Sequence, residues 1–446
     1  MLSTLTVSYF LAIISAVLML LTWRRYGRRN IVVTPYVLAC CFLLVFCWTG
    51  QISAIASGLT DSIYASFVLF AGVVAFLIGF VSFSHSQIFA AQHFQKRLVR
   101  DVRASYFYGG VSLLLLALAI STYRYQGLPP VAHVVRELAT GHADVDELAG
   151  FSKDSRLSLS SGHWTHDTPQ RGKGIAGRFL RIAFPYLLCI CLGMHLYTRR
   201  RHWLYYSVIV AGITTLYVGG DGTRAPLANA AMVVVVFFSY VKPITYRHLT
   251  FAASAVFVLL IVMTLTSSKG LGYFHDLASF REIIEPLLLR FGANGFDDVA
   301  VIELVGDNQL EYHCGLLFLE QLLAPIPGVR LQDIPFDLRL WHLMDPYSTE
   351  HVFATTTLLG LIYLDGGILG VLVVYGLLGV LIARIQVPLF SGPKEISSMA
   401  VRASLTCAIG RVMVAGLLYV AVDVVLIVVI HYAFCHSSRW KGAIPL

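Results

Sequence analysis

Three side chains have the chemistry of a general base and sit in polar stretches between apolar runs: Asp298, Glu303 and His351. A carboxylate, or an imidazole titrating near neutrality, can take the proton from a hydroxyl as that hydroxyl attacks a carbon centre. Arg224, Arg281, Arg290 and Arg411 supply the opposite charge. Arginine and carboxylate together could bind a pyrophosphate and deprotonate an acceptor. The sharpest local feature is Gly219-Gly220-Asp221-Gly222-Thr223-Arg224-Ala225-Pro226, between two apolar runs. Its glycines permit a tight turn with close backbone approach, and Pro226 suits the first turn of the next helix. The sequence therefore predicts Arg224 at a helix N-terminus, where amides, dipole and guanidinium all favour an anion. Asp221 and Thr223 of the same turn join it as binding candidates. The plain alternative is a hairpin turn with a snorkelling arginine.

Arg281 and Arg290 precede Asp297, Asp298 and Glu303. Their alternative is a solvated helix face, on which Arg281 and Glu285 would pair at i,i+4. His351 belongs to an unusually polar approach, Glu350 to Thr357, to a further apolar run. Inside that run lie Tyr363, Asp365, Gly366 and Gly367. An ionisable group there needs a partner, for function or for packing. Asp144-Val145-Asp146 is a bare DxD, too short to argue a metal. Seven of the eight cysteines lie in or beside apolar stretches as small hydrophobes, without metal or disulfide spacing. No metal and no cofactor is expected.

The elements that must position these residues are membrane spans. The 446 residues are 57% hydrophobic and 13% charged, against roughly 25% charged in soluble domains. Apolar runs fall at about 4–22, 31–52, 65–83, 105–122, 179–198, 203–219, 225–241, 249–266, 352–383, 399–415 and 418–435, each near the length that spans hydrocarbon. The fold class is all-α: a polytopic helical membrane protein of about eleven spans in one integral membrane domain, residues 1–446. The first run is followed by Arg24, Arg25, Arg28 and Arg29, not by a small-residue cleavage site, and is a span. The net charge of +8 is distributed as short basic clusters on alternate connections, which excludes a nucleic-acid footprint. Placing those clusters in the cytoplasm puts the N-terminus outside and the C-terminus inside. Two large outer loops follow. Residues 124–178 are polar. Residues 267–350 carry Leu277, Phe280, Ile284, Leu287 and Leu288 at the spacing of an amphipathic interfacial helix. Arg411 sits about a turn below the outer surface if 399–435 is a hairpin.

The Gly-Gly-x-Gly-Thr-Arg turn comes with Gly315, Pro325-Ile326-Pro327-Gly328, Thr355-Thr356-Thr357-Leu358-Leu359-Gly360 and Gly366-Gly367-Ile368-Leu369-Gly370. This ensemble resembles the Wzy-type polymerases of O-antigen, capsule and enterobacterial common antigen. The end of the first span, Thr22-Trp23-Arg24-Arg25, looks similar to the common-antigen branch. The resemblance implies a GT-C-like inverting glycosyltransferase in a bacterial inner membrane, its active site facing the periplasm. It would move a glycan from undecaprenyl pyrophosphate onto a new lipid-linked repeat unit, with essential arginines in outer loops and no metal. Membrane lipids surround it, and a chain-length regulator is a candidate partner. By matching position Arg224 takes the role of the arginine after the double glycine, and Arg290 that of a large-loop arginine. Asp221-Gly222 lengthens the turn relative to the commoner family form. Two rivals stand beside this reading. An O-antigen ligase shares the architecture and the arginines. A lipid-linked oligosaccharide flippase or small-molecule transporter would line a central path with charges at mid-depth, whereas most candidates here lie toward the outer face.

Overall fold

The computed structural model describes residues 2–26, 33–60, 62–84, 111, 171–218, 224–241, 254, 295–317, 319, 356–391, 395–415 and 417–435. Among these residues there is no strand. Five helices are long and apolar enough to cross a membrane: Thr4–Arg25, Pro35–Ala56, Tyr64–Phe83, Phe179–Thr198 and Leu358–Gln386. Helices Arg201–Val218, Arg224–Val241, Ile396–Gly410 and Leu417–Cys435 fall on four more of the expected spans. Apart from residues 111 and 254, those expected at 105–122 and 249–266 lie outside the described residues. Apolar side chains cover the exposed faces: Leu369, Val373, Leu377 and Leu381 form one stripe, and Val425, Val429 and Tyr432 another. Helices that satisfy their own backbone and turn apolar stripes outward suit lipid and not water. This is an all-helical membrane protein.

Two helix starts differ from the apolar pattern for local reasons. The second span begins at Pro35, because the Thr34 hydroxyl accepts from Val37 N (3.1 Å) and proline occupies the first turn. The Leu358–Ser391 helix starts six residues beyond the expected 352, because the Thr357 hydroxyl accepts from Leu359 N (3.1 Å). Among the cysteines, Cys40, Cys47, Cys189, Cys191 and Cys407 are buried as expected, while Cys41 is exposed on its helix.

The described helices group into two compact units, interleaved in sequence. In the first, Tyr64–Phe83 packs along Leu358–Ser391. The two run in the same direction: Tyr64 meets Tyr363, Gly72 faces Val371 and Tyr375, and Phe83 lies 5.0 Å under the Arg384 guanidinium. Same-direction packing is what the alternating charge clusters predict for these two spans. Small residues set the closeness. A methyl group at Gly79 would overlap the Gly376 carbonyl oxygen, and one at Gly379 the Phe76 carbonyl oxygen. In lipid, such backbone approach is the main source of helix–helix attraction. Gly379→Ala is therefore expected to cost about 1–3 kcal/mol, read as a lowered melting temperature of the purified protein. Gly212→Ala, where a methyl group would meet nothing, serves as the neutral control. Equal melting of the two variants would refute the close-packing account.

The Leu358–Ser391 helix is broken at Gly366 (φ −148°) and Gly367 (φ 58°, ψ −156°), the second a conformation open only to glycine. From Ile368 to Gln386 it is still about 28 Å long at about 1.5 Å per residue, enough for the hydrocarbon alone. The preceding turns are thus spared for another use. In the second span, the turn Leu43–Trp48 is a π-helix. Gly295 packs on it so closely that a Cβ would lie 2.6 Å from the Phe46 carbonyl oxygen.

The second unit is built around Arg171–Thr198, which packs on Arg201–Val218 and Arg224–Val241. Arg199 (φ 57°) makes the tight link, its N–H donating to His195 O (2.8 Å). Gly193 lets Ile396 and Phe237 close on the helix, and the Tyr240 and Thr406 hydroxyls pair at 2.7 Å.

Candidate active site

Helix 295–306 brings two of the three candidate bases together, and treats them oppositely. Its end is fixed by Asn308 in the left-handed conformation (φ 57°), with Gln309 N donating to Leu304 O (2.8 Å) and Asn308 N to Val305 O (3.2 Å). These bonds satisfy the last carbonyls in a Schellman motif. One turn before that end Glu303 is half-buried, and its Oε1 accepts from the Thr60 hydroxyl (2.8 Å). The Thr60 oxygen also accepts from Ser62 N (2.9 Å), and the Ser62 hydroxyl accepts from Tyr64 N (3.1 Å). This ladder ties Glu303 to the turn that presents Tyr64. Glu303 Oε2 accepts nothing among the described residues.

Beside that turn three tyrosines from three segments converge. The Tyr64 and Tyr363 hydroxyls lie 3.4 Å apart, and the Tyr363 ring centre is 6.3 Å from that of Tyr64 and 6.1 Å from that of Tyr312. Tyr363 is buried, while Tyr64 and Tyr312 are about half exposed, at 45% and 50%. Segment 311–317 is held there by the helix break: His313 N donates to Leu364 O (2.9 Å), and Leu317 N to Asp365 Oδ1 (3.1 Å). Asp365 thus has a backbone amide as a partner for its charge inside the apolar run. The three segments that meet here, the 57–64 turn, 295–317 and the first turns of Leu358–Ser391, are those the basic clusters assign to one side of the membrane. Half-exposed tyrosine rings beside the Gly366–Gly367 backbone, with the Glu303 carboxylate tied to the turn that presents Tyr64, suit a ligand that is apolar on one face and hydroxylated at its edges.

Asp298 is fully enclosed. Its Oδ1 accepts from Thr357 N (2.8 Å) and Gly360 N (3.2 Å), and its Oδ2 from the Thr357 hydroxyl. It caps the Leu358–Ser391 helix from outside, and a Cβ on Gly360 would sit 2.6 Å from its carboxylate. The sulfur of Cys47 in the π-turn lies 3.9 Å from the same threonine hydroxyl. Neither the solvated helix face nor free access to a substrate describes this residue. It latches helix 295–306 onto the next helix.

Burial pushes the Asp298 carboxyl up to about 7, against the lowering effect of the Thr357 and Gly360 donors. The folded state therefore binds this proton more tightly than the unfolded chain. The resulting stability is complete below about pH 4 and is lost as pH rises through about 7, at up to roughly 1.4 kcal/mol per pH unit. Asp298→Asn mimics the neutral acid, because its amide can accept from both N–H groups and donate to Thr357. Melting scans from pH 4.5 to 8 should show a downward slope that this variant flattens. Parallel slopes would remove Asp298 as the source.

Of the arginines, Arg224 is the first residue of helix Arg224–Val241, with Pro226 in its first turn, as the sequence predicts. Arg411 sits half-buried between Ile396–Gly410 and Val412–Ala415. That short helix packs on Leu358–Ser391 and on the π-turn, the elements that also hold Asp298 and Cys47. Arg281, Arg290, His351, Asp221 and Thr223 lie outside the described residues. Thr60, Tyr64 and Tyr312 are additions that sequence reasoning missed; their only signal was placement in short connections on one side of the membrane. No protein-family model, no curated protein and no solved structure matches the chain.

Proposed function

We propose that this protein is a Wzy-type inverting glycosyltransferase, joining repeat units carried on undecaprenyl pyrophosphate at the periplasmic face of a bacterial inner membrane. The observation that carries the reading is the Glu303 carboxylate, held by Thr60 in the turn that presents Tyr64, whose ring meets that of Tyr363 and, beyond it, Tyr312. Pyranose rings offer C–H faces to aromatic rings and hydroxyls to a carboxylate. Glu303 takes the proton of the acceptor hydroxyl as that oxygen bonds to the anomeric carbon of the donor sugar. The bond from that carbon to the pyrophosphate oxygen breaks on the opposite face, so the configuration inverts. The electron pair leaves with undecaprenyl pyrophosphate. Its growing charge calls for fixed cations aimed at a leaving group, and Arg224, Arg290 and Arg411 are the candidates for that role. Arg281, Asp221 and Thr223 are further candidates for binding the pyrophosphate. His351 is the second candidate for the base.

The test is glycan profiling of a deletion strain. Loss of a polymerase leaves single repeat units attached to the final acceptor. Loss of a ligase leaves no attached glycan. Loss of a flippase leaves lipid-linked units inaccessible from the periplasm. Either of the last two patterns would replace the reading with the corresponding rival.

A further inference from the structure

The second unit buries an arginine that the proposed reaction does not use. Arg402, in helix Ile396–Gly410, is 8% exposed. Its Nη1 is shut off from solvent and has no hydrogen-bond partner among the described residues. Tyr240 and Glu395 act on the guanidinium electrostatically, but the Tyr240 hydroxyl is engaged by Thr406 at 2.7 Å. A guanidinium stays charged, has five N–H donors and accepts nothing. Enclosing one of those donors without an acceptor is strongly unfavourable unless something completes it.

The position says what kind of acceptor that is. Tyr240 is the last residue but one of helix Arg224–Val241, and the chain continues into Lys242 and Arg247. Lys394 precedes the Arg402 helix in the same way. Tyr240 is about 24 Å along its helix from Arg224 at about 1.5 Å per residue. The arginine therefore lies near the opposite, basic end from the proposed pyrophosphate site. Basic sites between helices at such an end take anionic lipid headgroups, and the planar guanidinium fork matches phosphate oxygens. We infer that Arg402 anchors a lipid-binding site that takes the phosphodiester of an anionic phospholipid from the leaflet at that end.

Nondenaturing mass spectrometry of the purified full-length protein tests this. The probes are phosphatidylglycerol, phosphatidylcholine and inorganic phosphate. Wild type should retain phosphatidylglycerol over phosphatidylcholine by at least about fivefold, the scale of one basic residue's attraction to anionic lipid. Arg402→Gln should remove the preference and Arg402→Lys should keep part of it. Equal retention of the two lipids by wild type overturns the proposal without any variant, so a Gln variant that fails to fold does not shelter it. Persistence of the preference in a folded Gln variant overturns it as well. So does displacement of the lipid by millimolar inorganic phosphate, which would assign the site to a free oxyanion.

Discussion

Exchanging Glu303 for glutamine is expected to lower repeat-unit polymerisation about 100- to 10,000-fold, the range for loss of one positioned general base, while leaving the protein folded. The amide oxygen of glutamine can still accept from the Thr60 hydroxyl, so the tie between helix 295–306 and the Tyr64 turn survives. What disappears is the ability to take a proton. Polymerisation by purified protein on lipid-linked repeat units, read as the chain-length ladder, measures this directly. Asp298→Asn makes the comparison sharp. Asp298 is enclosed and spends both oxygens on the Thr357–Gly360 helix start, so its variant should change thermal stability with pH but shorten chains little. A full ladder from Glu303→Gln would remove Glu303 as the base. If His351→Ala then abolished the ladder, the imidazole would take its place. Thr60→Val should fall between, since the carboxylate keeps its charge but loses the group that aims it.

The split between the two acids explains what a sequence can carry. Apolar runs near bilayer length located the described helices, five of them long and apolar enough to cross a membrane. Basic clusters implied that Tyr64–Phe83 and Leu358–Ser391 run the same way, and the pairs Tyr64–Tyr363 and Phe83–Arg384 agree. Local chemistry located the start of Arg224–Val241, where Pro226 lies in the first turn. Asp298 and Glu303 looked equivalent on those terms, five residues apart on one polar stretch. Their difference arises from segments far away in sequence: Thr357 and Gly360 enclose one, and Thr60 holds the other at a half-buried edge. The break at Gly366–Gly367 was visible as a glycine pair inside an apolar run. Its consequence, a docking point for segment 311–317, depends on the Leu364 carbonyl and the Asp365 carboxylate facing backbone amides of the chain some 50 residues earlier. The π-turn at Leu43–Trp48 carries no residue signature, and only the fit of Gly295 against its carbonyls gives it a role.

Replacing Arg224 by alanine should remove long-chain polysaccharide and leave single repeat units on the acceptor, with a rate loss of about 100- to 1,000-fold for one charge-stabilising donor. As the glycosidic bond breaks, negative charge accumulates on the pyrophosphate. A cation fixed in advance stabilises the transition state more than the ground state. Arg224 opens its helix, where the partial positive charge of the N-terminal amides also favours an anion. The helix end should sustain part of the function alone, which keeps the expected loss below total. Arg224→Lys should be intermediate: it restores the charge but not the paired donors that match phosphate oxygens. The same ranking is expected in the chain-length ladder and in single-turnover release of undecaprenyl pyrophosphate. A mere folding role would instead show as reduced amounts of protein, equal for Lys and Ala, with normal chain length from whatever protein remained. Unchanged chain length in a normally accumulating Ala variant would take Arg224 out of the mechanism and leave Arg290 and Arg411 to carry the leaving-group charge.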